Sequence, residues 1–182
     1  MGQRTQIIIQ TESNTGARNT SVYHFQWGFG RVMFLQLFGI LLQDYFKDTF
    51  APGYAFGADI QMIGKGRDLS DEFTPEERES LNNLEFDNPR AVGDILRSCD
   101  NNNGGLFVRI KEDKTEYHAA AISFAFMPGC EEGGKYDRFC TAKEYASFSP
   151  SYSGPDFYDL FESFCKYFNI IDMAAKPQPE DK

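Results

Sequence analysis

The chain is 182 residues long with a net charge of −9, 41% hydrophobic and 15% aromatic residues, and Phe alone occurring 18 times. That length buries one core without help from disulfides or a structural metal, and the apolar content excludes a disordered chain. Its four cysteines, Cys99, Cys130, Cys140 and Cys165, form no Cys-x-x-Cys pair and no short-spaced Cys/His set, which excludes the usual zinc patterns and leaves reduced, structural thiols in a reducing compartment.

Residues 1 to 10 lack a basic start, an apolar core and a cleavage site, so cytoplasmic residence is expected. The Met-Gly opening is not a myristoylation signal, because the hydroxyl residue stands at Thr5 with Gln6 in the motif position. The longest apolar stretch, Val32 to Leu42, is broken by Gln36 and falls well short of the ~20 residues that cross a bilayer. Charge is unevenly placed. Residues 1 to 67 hold 6 Lys/Arg against 4 Asp/Glu, whereas residues 68 to 182 hold 12 against 23. An acidic surface repels phosphate backbones and favours basic partners, although acidity for solubility explains the balance equally well.

Residues 4 to 11 (RTQIIIQT) place Ile7 and Ile9 on one face and Arg4, Gln6 and Gln10 on the other, a β-branched alternation that predicts a strand. The polar run 12 to 19 supplies a hairpin tip with Asn14 and Gly16, and residues 20 to 27 (TSVYHFQW) return antiparallel with Tyr23, Phe25 and Trp27 on one face. Gly28 and Gly30 break that strand. A mostly buried helix is expected over 31 to 46, and residues 47 to 67 are left unassigned. Thr74, Pro75 and Glu77 form an N-cap, first-turn proline and capping box for a helix toward Leu84, and Asn88-Pro89 opens a second one to about Ser98, stopped by DNNNGG. Residues 106 to 110 and 116 to 126 read as a second hairpin around KEDKT. Thr141 and Glu144 suggest a short helix or turn, and a last helix runs over 155 to 169 with Phe157, Leu160, Phe161, Phe164, Cys165 and Phe168 on one face.

This order predicts an α+β fold, with an antiparallel sheet of about four strands in two hairpins covered by helices on one face. One domain over 1 to 173 is expected, with a polar tail over 174 to 182.

The chemistry-bearing residues are few. His24 falls in the row of Arg4, Gln6, Gln10 and Gln26 on the outward face of the first hairpin, where a histidine beside an arginine suits metal-free RNA cleavage. The plainer reading, a solvated surface histidine, outweighs it. His118 shares its face with Ile122, Phe124 and Phe126 and is less suited. Asp44, Asp48 and Asp59 match no metal-ligand spacing, and no nucleophile elbow is present, so no metal and no cofactor are expected. GFGR (28 to 31) and GKGR (64 to 67) are turn-making glycines followed by arginines, without a nucleotide fingerprint. Tyr23, Phe25 and Trp27 at strand spacing suit a core face better than a base-stacking platform.

The opening MGQRTQIII followed by YHFQWGFGRVM resembles a group of short proteins of phages and mobile genetic elements in Gram-positive bacteria. Size, acidity and this opening together resemble the anti-CRISPR inhibitors of the type II effector nuclease, in particular a kind that causes truncation of the effector's guide RNA. The resemblance covers about the first fifth of the chain. It implies a partner, the type II CRISPR effector with its guide RNA, and neither a membrane nor a small-molecule substrate. It carries over Gln3, Arg4, His24, Gln26, Trp27 and Arg31 as candidates without assigning roles; the strand face gives His24 and Arg4 to catalysis and leaves the others for contact. The sequence assigns no oligomeric state.

Overall fold

The alternating apolar residues at the start of the chain do form a hairpin, β1 (Thr5–Glu12) and β2 (Arg18–Phe25), in a computed structural model that describes residues 4–26, 67–98, 104–111, 121–129, 137–147 and 155–175. Gly16, at φ +83, makes the turn, where Gly16 N–H donates to Ser13 O at 2.9 Å. The expected helix over 31 to 46 lies outside the described residues.

β1 has partners along both edges. It pairs antiparallel with β2, from Thr5↔Phe25 to Glu12↔Arg18, and parallel with β4 (Gly105–Lys111), from Gln6↔Gly105 to Glu12↔Lys111. β4 continues antiparallel to β5 (Ala121–Met127), the two strands expected to pair, while residues 112 to 120, with most of the KEDKT turn and the start of the second expected strand, lie outside the described residues. Two-residue strands finish the sheet: β3 (Arg67–Asp68) lies antiparallel to β2, and β6 (Ile171–Asp172) lies parallel to β5. The order is β3-β2-β1-β4-β5-β6.

The expectation of a purely antiparallel four-stranded sheet is therefore overturned: the sheet is mixed and six-stranded. Hairpin turns force antiparallel pairing within each hairpin, but a long connection between hairpins sets no such sense. The expectation of helices on one face also fails. Ile7, Ile9, Tyr23, Phe25, Val108, Phe124 and Phe126 pack with residues of α3 (Ala142–Ser147) and α4 (Pro155–Tyr167). Ile8, Val22, Phe107, Ala125 and Met127 pack on the opposite side with residues of α1 (Pro75–Asn82) and α2 (Pro89–Ser98). A strand that carries isoleucine on both faces has to be covered on both.

The caps read in the sequence hold. Thr74 Oγ1 accepts from Glu77 N–H while Glu77 Oε2 accepts from Thr74 N–H, a complete capping box at α1. Asn88 Oδ1 accepts from Ala91 N–H at α2, and Thr141 Oγ1 accepts from Glu144 N–H at α3. Leu81 is the one buried residue of α1, so this helix gains little from apolar burial and leans on its ends. α2 is strongly amphipathic, with Val92, Gly93 and Leu96 inward. Tyr145 of α3 stacks on Phe126 with ring centroids 4.4 Å apart. After α4, Asn169 takes φ 53, and Ile170 N–H donates to Cys165 O at 2.8 Å as the chain turns into β6. A 3-10 turn, Met173–Ala175, takes the described chain just past the start of the expected tail.

Candidate functional site

The sheet face under α1 and α2 is crossed by four rows of side chains fixed by the register. One row contains Arg18, Glu12 and Lys111, the next Thr20, Gln10 and Arg109, the third Val22, Ile8 and Phe107, and the last Arg67, His24, Gln6 and Gly105. The apolar row is the floor of the helix contact, and polar rows flank it.

The Gln10 row is a structural lock. Gln10 is fully buried, and its Nε2 donates to Leu81 O, Asn82 O and Leu84 O at 3.3, 3.2 and 3.4 Å. Thr20 Oγ1 adds a bond to Leu81 O at 3.1 Å, so the sheet supplies donors for carbonyls that the end of α1 leaves open. Arg109 donates from Nε to Gln10 Oε1 at 2.6 Å and from its terminal nitrogen to Leu84 O at 2.7 Å, with its guanidinium 5.2 Å from the Phe86 ring centroid. Glu85 bridges Arg109, at 2.9 Å, to Arg18, which also holds Glu12. Lys111 hydrogen-bonds Glu12 and, with Arg18, holds that carboxyl below its ordinary range. Burial works to raise Glu85, but the two guanidiniums outweigh it and lower this carboxyl too. On the other face, burial raises the Asp172 carboxyl even though it accepts from Ala142 N–H and Ala174 N–H, and burial pushes the Cys165 thiol up to about 12. Cys140 and Cys165 are both buried, and a thiol raised by burial, as at Cys165, is inert.

The His24 row ends in a cleft of about 570 Å³, lined among the described residues by His24, Gln26, Arg67, Leu69, Glu72, Phe73, Glu77 and Ser98. It lies where β3 meets β2 and the first turns after β3 leave the end of the sheet. His24 is partly buried and directly opposite Arg67 in the register. Gln6, wholly buried beneath it, sets its Nε2 2.9 Å from His24 Nδ1. Arg67 is exposed and bridges to Glu72 at 2.7 Å. Beside the cleft the chain carries Asp68, Asp71, Glu72, Glu76, Glu77 and Glu79, all exposed.

Of the residues singled out in the sequence, His24 and Gln26 line this cleft. Arg4, partly buried just before β1, is not among its lining residues. Gln3, Trp27 and Arg31 lie outside the described residues, as do His118 and the three carboxylates at 44, 48 and 59. The polar row was expected to face solvent; instead Gln6 and Gln10 are fully buried, because the face they share with Ile8 is covered by helices. The cation beside His24 is Arg67, the last residue of GKGR, and the motif's glycine-then-arginine pattern was the available signal. Arg109 and Gln10 carried no signal beyond strand alternation. Among the described residues no group of three or more metal-ligating side chains is assembled, and no helix is long and apolar enough to cross a membrane. Scans of this chain against protein-family models, curated proteins and solved structures returned no match.

Proposed function

We propose that the chain acts by gripping a nucleic-acid-handling protein inside a bacterial host cell, and that this partner is the type II CRISPR effector nuclease with its guide RNA, which it disables. The observation that carries the reading is the run of six exposed carboxylates between Asp68 and Glu79, of which Glu72 and Glu77 line an open polar cleft. Carboxylates presented in this way complement grooves built for phosphates, steer encounter with a basic partner and lose strength with salt. The resemblance of the opening residues supplies the partner's identity. Titrating the protein into effector, guide RNA and target DNA should suppress target cleavage, less so as salt rises. Charge reversal at Asp71, Glu76 and Glu79 should weaken that suppression. Undiminished cleavage at excess protein would overturn the proposal.

A second reading, a metal-independent ribonuclease acting on free RNA, is favoured by one observation: His24 stands opposite Arg67 in a cleft that also holds Glu72 and Glu77. Such cleavage needs a proton acceptor, a proton donor and a cation near the phosphate, and the cleft brings all three residue types together. Free RNA incubated with the protein, with and without chelator, tests it. Intact RNA in both tubes removes this reading.

A further inference from the structure

We infer that Gln6 fixes the tautomer of His24, and that the His24 Nε2–H and the Arg67 guanidinium together form a phosphate-binding subsite in the cleft. The inference rests on the second reading, in which the cleft receives a phosphate, and is independent of the carboxylates argued to meet a basic partner. The geometry runs from the core outward. In the amide orientation of this structure Gln6 turns Nε2 toward His24 Nδ1 at 2.9 Å, and an amide N–H there donates, which makes Nδ1 the acceptor and leaves the proton of a neutral ring on Nε2. Gln6 is fully buried on β1, a strand paired along both edges, so its backbone is fixed and the ring is held from behind. His24 therefore offers the cleft a donor.

Arg67 supplies the second donor group from the neighbouring strand, directly across the register. Its guanidinium is a planar fork suited to two oxygens of one phosphate. In this structure the fork rests on Glu72 at 2.7 Å, with both side chains well exposed, so the pair is a weak surface bridge that a phosphate can exchange. The other carboxylate of the lining, Glu77, is committed to the Thr74 N–H in the α1 capping box and does not compete for Arg67 in the same way. Ser98 donates its hydroxyl to Ile95 O. Glu72 is thus the group that an incoming phosphate displaces, and it sets the affinity.

The same phosphate chemistry comes from a free phosphate or from the backbone of a single strand, and the experiment separates the two. Inorganic phosphate and a short single-stranded oligonucleotide without terminal phosphates are titrated in parallel into the full chain. The His24 ring nitrogens are followed by NMR at a pH where the ring is neutral. The free protein should show protonated Nε2, and either probe should shift that resonance. Tighter binding of inorganic phosphate identifies the free ion as the source, and tighter binding of the oligonucleotide identifies the backbone. Arg67→Gln should abolish the shift. Glu72→Gln, an exposed change that leaves the core untouched, should tighten binding by up to about fivefold, the order of a weak surface ion pair. Gln6→Met should release the tautomer preference and weaken binding, with a thermal melt reporting on folding separately. A ring protonated on Nδ1 in the free protein overturns the inference. So does a Glu72→Gln variant that binds no more tightly, or a ring signal that neither probe moves. Effector inhibition is a separate readout: its loss with phosphate binding intact rejects the partner and keeps the subsite, and the reverse result rejects the subsite alone.

Discussion

Gln10 lies at the centre of a polar knot beside the apolar row of this face: its amide nitrogen serves three carbonyls at and just after the end of α1, and its oxygen takes the Arg109 Nε–H. Replacing it with Leu keeps most of the volume but leaves the Arg109 Nε–H without its acceptor and Asn82 O without its Nε2 donor, while Leu81 O keeps Thr20 and Leu84 O keeps Arg109. The cost of leaving such groups unsatisfied is ~1–3 kcal/mol each, so Gln10→Leu should destabilise the chain by about 3 kcal/mol, read as a lowered urea midpoint with unchanged slope. Gly104 makes a second residue-level prediction. It sits at φ +79, and an added β-carbon would fall on the Met127 carbonyl oxygen and 3.0 Å from Gly129 N. Both the left-handed backbone and the contact oppose a side chain, so Gly104→Ala should cost upwards of ~2 kcal/mol in the same assay. At Gly16, also at positive φ, nothing lies within 4 Å of such a carbon, so only the backbone term applies and the penalty should be smaller.

Among the elements, α1 depends most on its ends, because eight residues bury only Leu81. Thr74→Ala removes the side chain that accepts from Glu77 N–H, and should cost ~1 kcal/mol and raise hydrogen exchange across the first turn of α1 before it affects the sheet. This helix was legible because capping chemistry is local: Thr, Pro and Glu within four residues specify a start whatever packs nearby. Both hairpins were legible for the same reason, and the inward face of the first is the one expected, with Ile7, Ile9, Tyr23 and Phe25 in one cluster. The parallel pairing of β1 with β4 was not legible. Its partners, such as Gln10 and Arg109, are 99 residues apart, and no local pattern states which strand lies beside which. β3 and β6 have two residues each, too few to display a period. The run Ile7, Ile8, Ile9 holds the clue to the second helical layer, since a continuous apolar run marks a strand buried on both sides, but the polar residues alternating around it point to one covered face. For the cleft, His24 and Gln26 were found by face, whereas Arg67 comes from a separate segment that only tertiary structure brings alongside.

For the molecule as a whole, acid should act through the ion network on the α1/α2 face. Glu12 and Glu85 are held below the ordinary value of 4.5, so their contribution is present above that value in the unfolded chain and is lost as pH falls through the lower folded values. Asp172 has the opposite sign. Its folded pKa is raised, so its contribution is present at low pH and lost as pH rises through that value, which blunts the acid limb. Urea midpoints measured downward from pH 5 should therefore fall in the wild type, and the fall should flatten in the Glu12→Gln, Glu85→Gln double variant; an equally steep fall in both would remove the network as its cause. The same molecule has to choose one alignment for its central strand, and the three consecutive isoleucines make that choice ambiguous on apolar grounds. Slipping β1 by one residue still leaves isoleucine on each side of the sheet, so burial alone distinguishes the right alignment from the wrong one only weakly. Gln6 and Gln10 break the tie: after a slip of one they would face α3 and α4, where Phe124, Phe126 and Tyr145 offer an apolar layer in place of the carbonyls of α1. After a slip of two they would keep their side of the sheet but move ~7 Å from their partners, those carbonyls for Gln10 and the His24 ring for Gln6. Two glutamines thus act as the address of β1, and a chain with leucine at both positions should populate several alignments, visible as heterogeneous amide spectra even where total burial is greater.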